Sequence, residues 1–219
     1  MFKLLSMKPA PRKAPQGALA VLLCAVAMLM APVGWAKPLH FHVSGGSPSE
    51  VEFTSDAPVE VIHGKTSQIS GGISLDDSFK FDAKHPFNIV LSVDLASIDT
   101  GIDLRNAHMR DNFLETAKYP KAVFKATSIQ LKGKPDLSKP QTVKLVSIGE
   151  FTLHGVTTNK TVPLTVDYKP ADGAKPARIR VHGKLSVPLE QHGIKRPEAV
   201  LVKLAETVFV DITAVGVAQ

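Results

Sequence analysis

The chain has 219 residues, of which 44% are hydrophobic and 21% charged, with 26 Lys and Arg against 20 Asp and Glu. Four of the basic residues (Lys3, Lys8, Arg12 and Lys13) and no acidic ones fall within positions 1–36, so beyond them the formal charge drops from +6 to +2. A surface that close to neutral exerts little pull on a phosphate backbone, which argues against a nucleic-acid binder, and the single Cys24 lies in the same opening stretch, so the remaining 183 residues must fold without a disulfide.

The opening itself has the three parts of a secretory signal peptide: a basic start, an apolar run from Ala18 to Met30, and small residues at Gly34 and Ala36 around Trp35. The run holds 13 residues, short of the roughly 18 that a membrane span requires. Leu23 before Cys24 is too large for a lipoprotein cleavage site. The expected organisation is therefore a signal peptide over 1–36, cleaved after Ala36, and one domain over 37–219 located in the periplasm. A chain of that length buries about 70% of its unfolded surface as one domain, so its core suffices.

From Leu39 the pattern turns to alternation with period two, the mark of strands with one dry and one wet face. Five such segments precede position 96: Leu39–Val43, Glu50–Thr54, Val59–His63, Ile69–Leu75 and Asn88–Leu95. Val51 and Phe53 share one face of the second, and Leu91 and Val93 one face of the fifth. Gly71-Gly72 marks the fourth as a place for a bulge or bend. Ser97–Ser128 then breaks the strand pattern with a single helix, expected over Leu104–Leu114 with Asp103 as N-cap and Pro120 as the stop. Its polar stripe is Arg105, His108 and Asn112; Ile102, Met109, Phe113 and Leu114 give it an apolar side, as suits a lid.

Five further segments follow: Ala122–Leu131, Thr142–His154, Lys160–Lys169, Ala177–Leu189 and Val208–Val217. Pro163 removes a ladder donor and predicts a late start or a bulge in the third of these. Many antiparallel strands joined by short turns make the chain all-β, either sandwich or barrel. Phe124, Ala126 and Ser128 on one strand, and Val210, Ile212, Ala214 and Gly216 on another, mix large with small on the inner face. In a barrel of about eight strands that mixture favours room for one ligand.

Catalytic constellations are missing. There is no G-x-S-x-G, no phosphate loop and no close carboxylate pair, and His40 with His42 read as surface histidines rather than metal ligands. The expectation is a protein that is not an enzyme and uses no cofactor and no metal.

Ser97-Ile98-Asp99-Thr100-Gly101, then Leu104-Arg105, His108, Arg110, Asn112-Phe113-Leu114, Tyr119-Pro120 and Phe124 resemble the signature of the YceI-like family. Gly149–Thr157 resembles the same family's G-x-L-T-x-H-G-V-T hairpin, with Phe151 where Leu is commoner. Asn106 stands where relatives usually carry Asp, and Gln191–Pro197 resembles one branch of the family. The resemblance implies a lipocalin-like antiparallel barrel whose helix is a lid over a cavity for polyisoprenoid or other long-chain lipids. It also implies homodimers in some members, and it leaves room for transient membrane contact.

The function expected from the resemblance is an exported carrier of a long-chain isoprenoid or other lipid, such as a polyprenyl diphosphate or a quinone, serving transport, storage or stress protection. The expected wall comprises Val51, Phe53, Leu91 and Val93, then Phe124, Ala126, Leu145 and Phe151, then Val181, Leu185, Val210 and Ile212. Phe113 and Leu114 would face the apolar chain from the lid, with Arg105, His108 or Arg110 nearer the headgroup. The competing expectation is a filled-core barrel that acts through its outer surface as an interaction or stress-response protein.

Overall fold

The computed structural model describes residues 39–46, 48–75, 88–131, 135–198 and 201–219; the expected signal peptide lies outside them. Ten strands appear in chain order: β1 (Leu39–Val43), β2 (Glu50–Asp56), β3 (Val61–Thr66), β4 (Ile69–Leu75), β5 (Asn88–Asp94), β6 (Lys121–Leu131), β7 (Gln141–Leu153), β8 (Val156–Lys169), β9 (Arg178–Pro188) and β10 (Thr207–Ala218). Period-two sequence becomes period-two burial. In β9, Ile179, Val181, Gly183 and Val187 are buried while Arg178, Arg180 and Lys184 are exposed.

These ten segments form a closed ring of eight positions, because two pairs of short strands each share one position. One edge of β10 is taken by β9 along its whole length. The other edge is divided: β2 pairs with Phe209–Thr213 and β1 with Gly216–Ala218. In the next position β3 pairs with β2 and β4 with β1. All neighbours are antiparallel; the β1–β10 pairing closes the ring, and the outer edge of β3 is met by the Lys65–Asp99 bridge.

The division separates two ends. At one, Phe41 and Val43 of β1 pack with Ile73, Tyr168, Ile179 and Ala214, all buried, with the Phe41 and Tyr168 rings edge to face at 6.3 Å. A Cβ on Gly216 would come within 2.9 Å of Phe41 Cβ, so the missing side chain is what lets the aromatic ring lie across the strand. At the other end lie the β2–β3 turn, the helical segment between β5 and β6, the β7–β8 hairpin and the long β9–β10 connection.

Four local expectations change. Pro163 lies within a regular ladder to β7, opposite Val146; its ring is exposed, and pairing with β9 starts only at Leu164, so no bulge is needed. The bulge is in β6, where Thr127 is the extra residue between Ala126 and Ser128. That extra residue turns Ile129 and Leu131 toward the core in place of Ser128. Gly71-Gly72 makes no bulge either: the ladders to β1 and β5 stay in register, and Gly71 has φ +152 where a Cβ would run into the Val90 carbonyl.

The helix differs too. It is α-helical over Asp103–His108, designated α1, and continues as π-helix over Met109–Phe113. Asp103 is its first residue rather than its cap; the N-cap is Ile102, without a side-chain bond. Glu115, at φ +46, ends the helical course well before Pro120.

Small inner residues therefore mark close packing at the filled end. Ala214 is 0% exposed, and a Phe there has no free volume to enter. Ala214→Phe should lower folding stability by about 1–3 kcal/mol, read from urea unfolding.

Candidate ligand cavity

The end opposite Phe41 is hollow. A cavity of about 610 Å³ runs between β2, β3, β5, β6, β7, β9 and β10, with the helical segment across it. Val51, Phe53, Ile62 and Val93 line one side; Leu153, Leu185, Val187, Val208 and Val210 line another. A smaller chamber of about 50 Å³ continues inward past Ile69, Leu91, Phe124, Val162, Leu164 and Val181. Val93, Ala122, Phe151, Leu185 and Ile212 border both spaces. The ionisable groups on the wall are Glu60, Arg105, His108 and Lys203. Ile102 and Leu104 both line the cavity and stand exposed, so the space reaches the surface beside them.

The helix is held across this space by its own loop. Arg105 donates from Nη1 to Glu60 Oε1 at 2.6 Å, from Nε to Thr100 Oγ1 and from Nη2 to the Thr100 carbonyl, both at 3.0 Å. Asn106, buried, accepts from the Thr100 N–H and hydroxyl at 2.8 and 2.7 Å and donates to Asp99 Oδ1 at 2.7 Å. Its amide thus supplies a donor toward Asp99 that a carboxylate would lack. The Gly101 N–H, then the Asn106 amide, hold the Asp99 carboxyl below the usual carboxylate range. Asp99 also exchanges both backbone bonds with Lys65, tying the loop to β3. Beyond α1 the Leu114 N–H reaches the Met109 carbonyl at 2.9 Å, an i→i+5 bond that lays Leu114 over Met109, and both line the cavity with Phe113.

A second device closes the wall opposite. β8 and β9 pair only from Leu164 to Lys169 and from Arg178 to Gly183, so the two strands part toward the mouth. The turn after β9 fills the gap. His192, 0% exposed, donates from Nδ1 to the Val156 carbonyl at 3.2 Å, and its ring meets Phe151 edge to face at 5.4 Å. His154, at φ +51 in the β7–β8 hairpin, donates from Nδ1 to the His192 carbonyl at 3.0 Å and sets Nε2 3.1 Å from Glu115 Oε2. The helix end, the hairpin and the turn are thus joined through one imidazole, and Ile194 of the same turn reaches the cavity.

Burial pushes the His192 imidazole below the ordinary histidine range. As the pH falls through that range the unfolded chain takes up a proton that the folded chain refuses. Stability is therefore full above the range and declines on acidification. Urea unfolding at a series of pH values should show this slope, and His192→Gln should reduce it by up to about one proton, whatever its effect on absolute stability.

Of the residues expected at the cavity, Val51, Phe53, Val93, Arg105, His108, Phe113, Leu114, Phe151, Leu185, Val210 and Ile212 stand on the large space. Leu91, Phe124 and Val181 border the inner chamber. Ala126 and Leu145 line neither and belong to the packed core, because the barrel is filled at their level. Arg105 is at the wall with its guanidinium committed to Glu60 and Thr100, and Arg110 donates to the Ala96 carbonyl at 3.0 Å. Arg196 is bonded to the Leu204 carbonyl and to Glu206. Sequence reasoning did not single out Ile62, Leu189, Ile194, Lys203 or Leu204. The apolar run Leu201-Val202, followed by Lys203-Leu204 in a stretch without strand periodicity, was the available signal for the last two.

An eight-stranded antiparallel barrel, packed at one end and hollow under a short helix at the other, defines a cavity-bearing, lipocalin-like β-barrel protein. The YceI-like domain matches residues 45–215, and the chain belongs to the YceI-like family. Protein YceI of Escherichia coli O6:H1 is 32% identical over 117 residues, covering 51% of this chain and 56% of that protein, so the match spans about half the length of such curated relatives. A UPF0312 protein of Pseudomonas syringae pv. tomato is 32% identical over 65% of this chain and 69% of its own. Among solved structures, a polyisoprenoid binding domain from Saccharophagus degradans aligns with a TM-score of 0.62 at 23% identity, over 84% of this chain and all of that one. Burkholderia cenocepacia BcnA aligns with a TM-score of 0.57 at 21% identity, over 76% and 95%. At these identities the structural likeness concerns the fold.

Proposed function

We propose that the protein is a carrier, not an enzyme, that shields the apolar chain of an isoprenoid or other long-chain lipid inside its barrel. The observation that carries this is the 610 Å³ cavity, whose described lining is mostly apolar, its charged side chains coming from the helix, Glu60 and Lys203. Its size falls within the range of small-molecule pockets, and each methylene buried there gains about 0.8 kcal/mol. The polyisoprenoid binding of the Saccharophagus domain supports the same ligand class. The filled-core alternative describes the Phe41 end of the barrel but not this one. The basic start and apolar run of residues 1–36 support export to the periplasm with cleavage after Ala36.

Lipid extraction and mass spectrometry of the purified protein test the reading; an isoprenoid or long-chain lipid is expected, and an empty protein that takes up neither prenols, quinones nor fatty acids would overturn it. Ala122 borders both spaces, so Ala122→Phe should fill volume that Ala214→Phe cannot reach, lowering uptake while the protein stays folded.

With Arg105 and Arg110 engaged, Lys203 is the lysine or arginine left among the described wall residues to meet an acidic headgroup, with the His108 ring as a further polar contact. Lys203→Gln should weaken a prenyl diphosphate roughly fivefold and spare a quinone, the modest size reflecting screening at an exposed site. Arg105→Gln should instead loosen the helix and weaken both ligands alike. Titration of the two lipids against each variant separates these roles.

A further inference from the structure

Among the described residues eight large hydrophobic side chains stand exposed, and six of them (Val59, Val61, Ile102, Leu104, Leu201 and Val202) belong to three segments at the hollow end. Leu104 is 67% and Val59 66% exposed. The segments touch: the Val59 N–H donates to the Val202 carbonyl at 3.0 Å, and Glu60 meets Arg105 at 2.6 Å. The β2–β3 turn is thus bonded on one side to the β9–β10 connection and on the other to α1, making an apolar collar around part of the opening. Scattered exposed hydrophobics need no explanation, but a contiguous set at a cavity mouth does.

Charge does not select the partner: Glu60 and Arg105 pair, and the exposed charges on the same segments are of both signs, Asp103 and Glu198 against Lys195 and Lys203 among them. Continuity does select it. Ile102 and Leu104 belong both to the collar and to the cavity wall, so whatever leaves the cavity by this opening passes over the collar. An apolar chain crossing open water would forfeit about 0.8 kcal/mol per methylene, whereas a collar seated in the interfacial region of a bilayer keeps it in apolar surroundings throughout. A second protein copy on the same surface would cover the opening and obstruct that exchange.

We infer that the collar is a docking surface for the lipid bilayer, through which ligand passes between membrane and cavity. This inference rests on the carrier reading of the cavity. Val59, Leu201 and Val202 are collar residues that do not line the cavity, so they can be changed without touching the binding wall. The bond joining two of them is backbone to backbone and survives substitution.

The test compares the protein with its Val59→Ser/Leu201→Ser/Val202→Ser variant in three measurements. Co-flotation uses vesicles of phosphatidylethanolamine with phosphatidylglycerol, and vesicles of phosphatidylcholine alone. Transfer of a pyrene-labelled prenol from those vesicles gives the exchange rate, and delivery of the same prenol from cyclodextrin gives the equilibrium affinity. The variant is expected to float less with both vesicle types and to take up prenol from them on the order of tenfold more slowly, at unchanged affinity from cyclodextrin. A folded variant with unaltered transfer rate would overturn docking. So would a sedimentation experiment showing the unsubstituted protein dimeric and the variant monomeric at equal transfer rates, since the collar would then be a self-interface. Binding of no prenol by a protein that floats, with flotation lost in the variant, would sink the carrier reading and leave the docking surface standing.

Discussion

The architecture depends on how one edge of β10 is shared. A closed antiparallel ring must satisfy every strand edge, and here two short strands, β1 and β2, do the work of one along β10. The interruption between them divides the interior. Along β1 and β4 the inward residues include Phe41, Val43, Ile73 and Leu75, large enough to form one packed cluster with Tyr168, Ile179 and Ala214. Along β2 and β3 the inward residues Val51, Phe53 and Ile62 stop short of the far wall. One barrel therefore has a core where β1 runs and a cavity where β2 runs.

A hollow end needs supports that a packed core would otherwise provide. The helical segment packs Met109, Phe113 and Leu114 against a second apolar cluster that includes Leu95, Phe151 and Val187, and it is further suspended from its own loop through Thr100, Asn106 and Asp99 and from the β2–β3 turn through the Arg105–Glu60 pair. On the other side, β8 and β9 separate, and the His192 turn fills the parting with a buried ring. The His154 imidazole links the two supports, reaching Glu115 at the helix end and the His192 carbonyl. Of these groups Thr100, Arg105 and Glu60 reach the cavity wall, where Arg105 is bonded to both of the others.

The opening shows the reverse arrangement. Apolar side chains normally withdrawn from water are left outside at the collar, and the charged groups there are paired or balanced. Large contiguous apolar patches of this kind commonly mark a surface that meets an apolar partner. Ile102 and Leu104 join the collar to the cavity wall, and Val93, Ala122, Phe151, Leu185 and Ile212 border both the cavity and the inner chamber.

Much of this was legible in the chain. All ten strands could be marked from alternation, because one face of each is wet and the other dry, and the helix stood out because its residues have a different period. The Arg105, His108 and Phe113 motif placed the helix at the cavity before any contact was visible. What alternation could not supply was position along the barrel axis. Ala126, Ala214 and Gly216 looked like gaps in a cavity lining, yet Ala126 and Ala214 are buried in the cluster that holds Phe41, Tyr168 and Ile179, and Phe41 and Ile179 stand against Gly216; small residues beside large ones are how a core packs. The Thr127 bulge, the shared edge of β10 and the parting of β8 from β9 are properties of register between strands distant in sequence. Arg105 illustrates the same limit: its charge was readable, but only the folded chain brings Glu60 to within 2.6 Å and commits the guanidinium to holding the helix. Side-chain period, set by local backbone geometry, was determined by the sequence alone; whether an inward residue meets a partner or a void was decided by the tertiary structure, because that depends on which strands lie opposite.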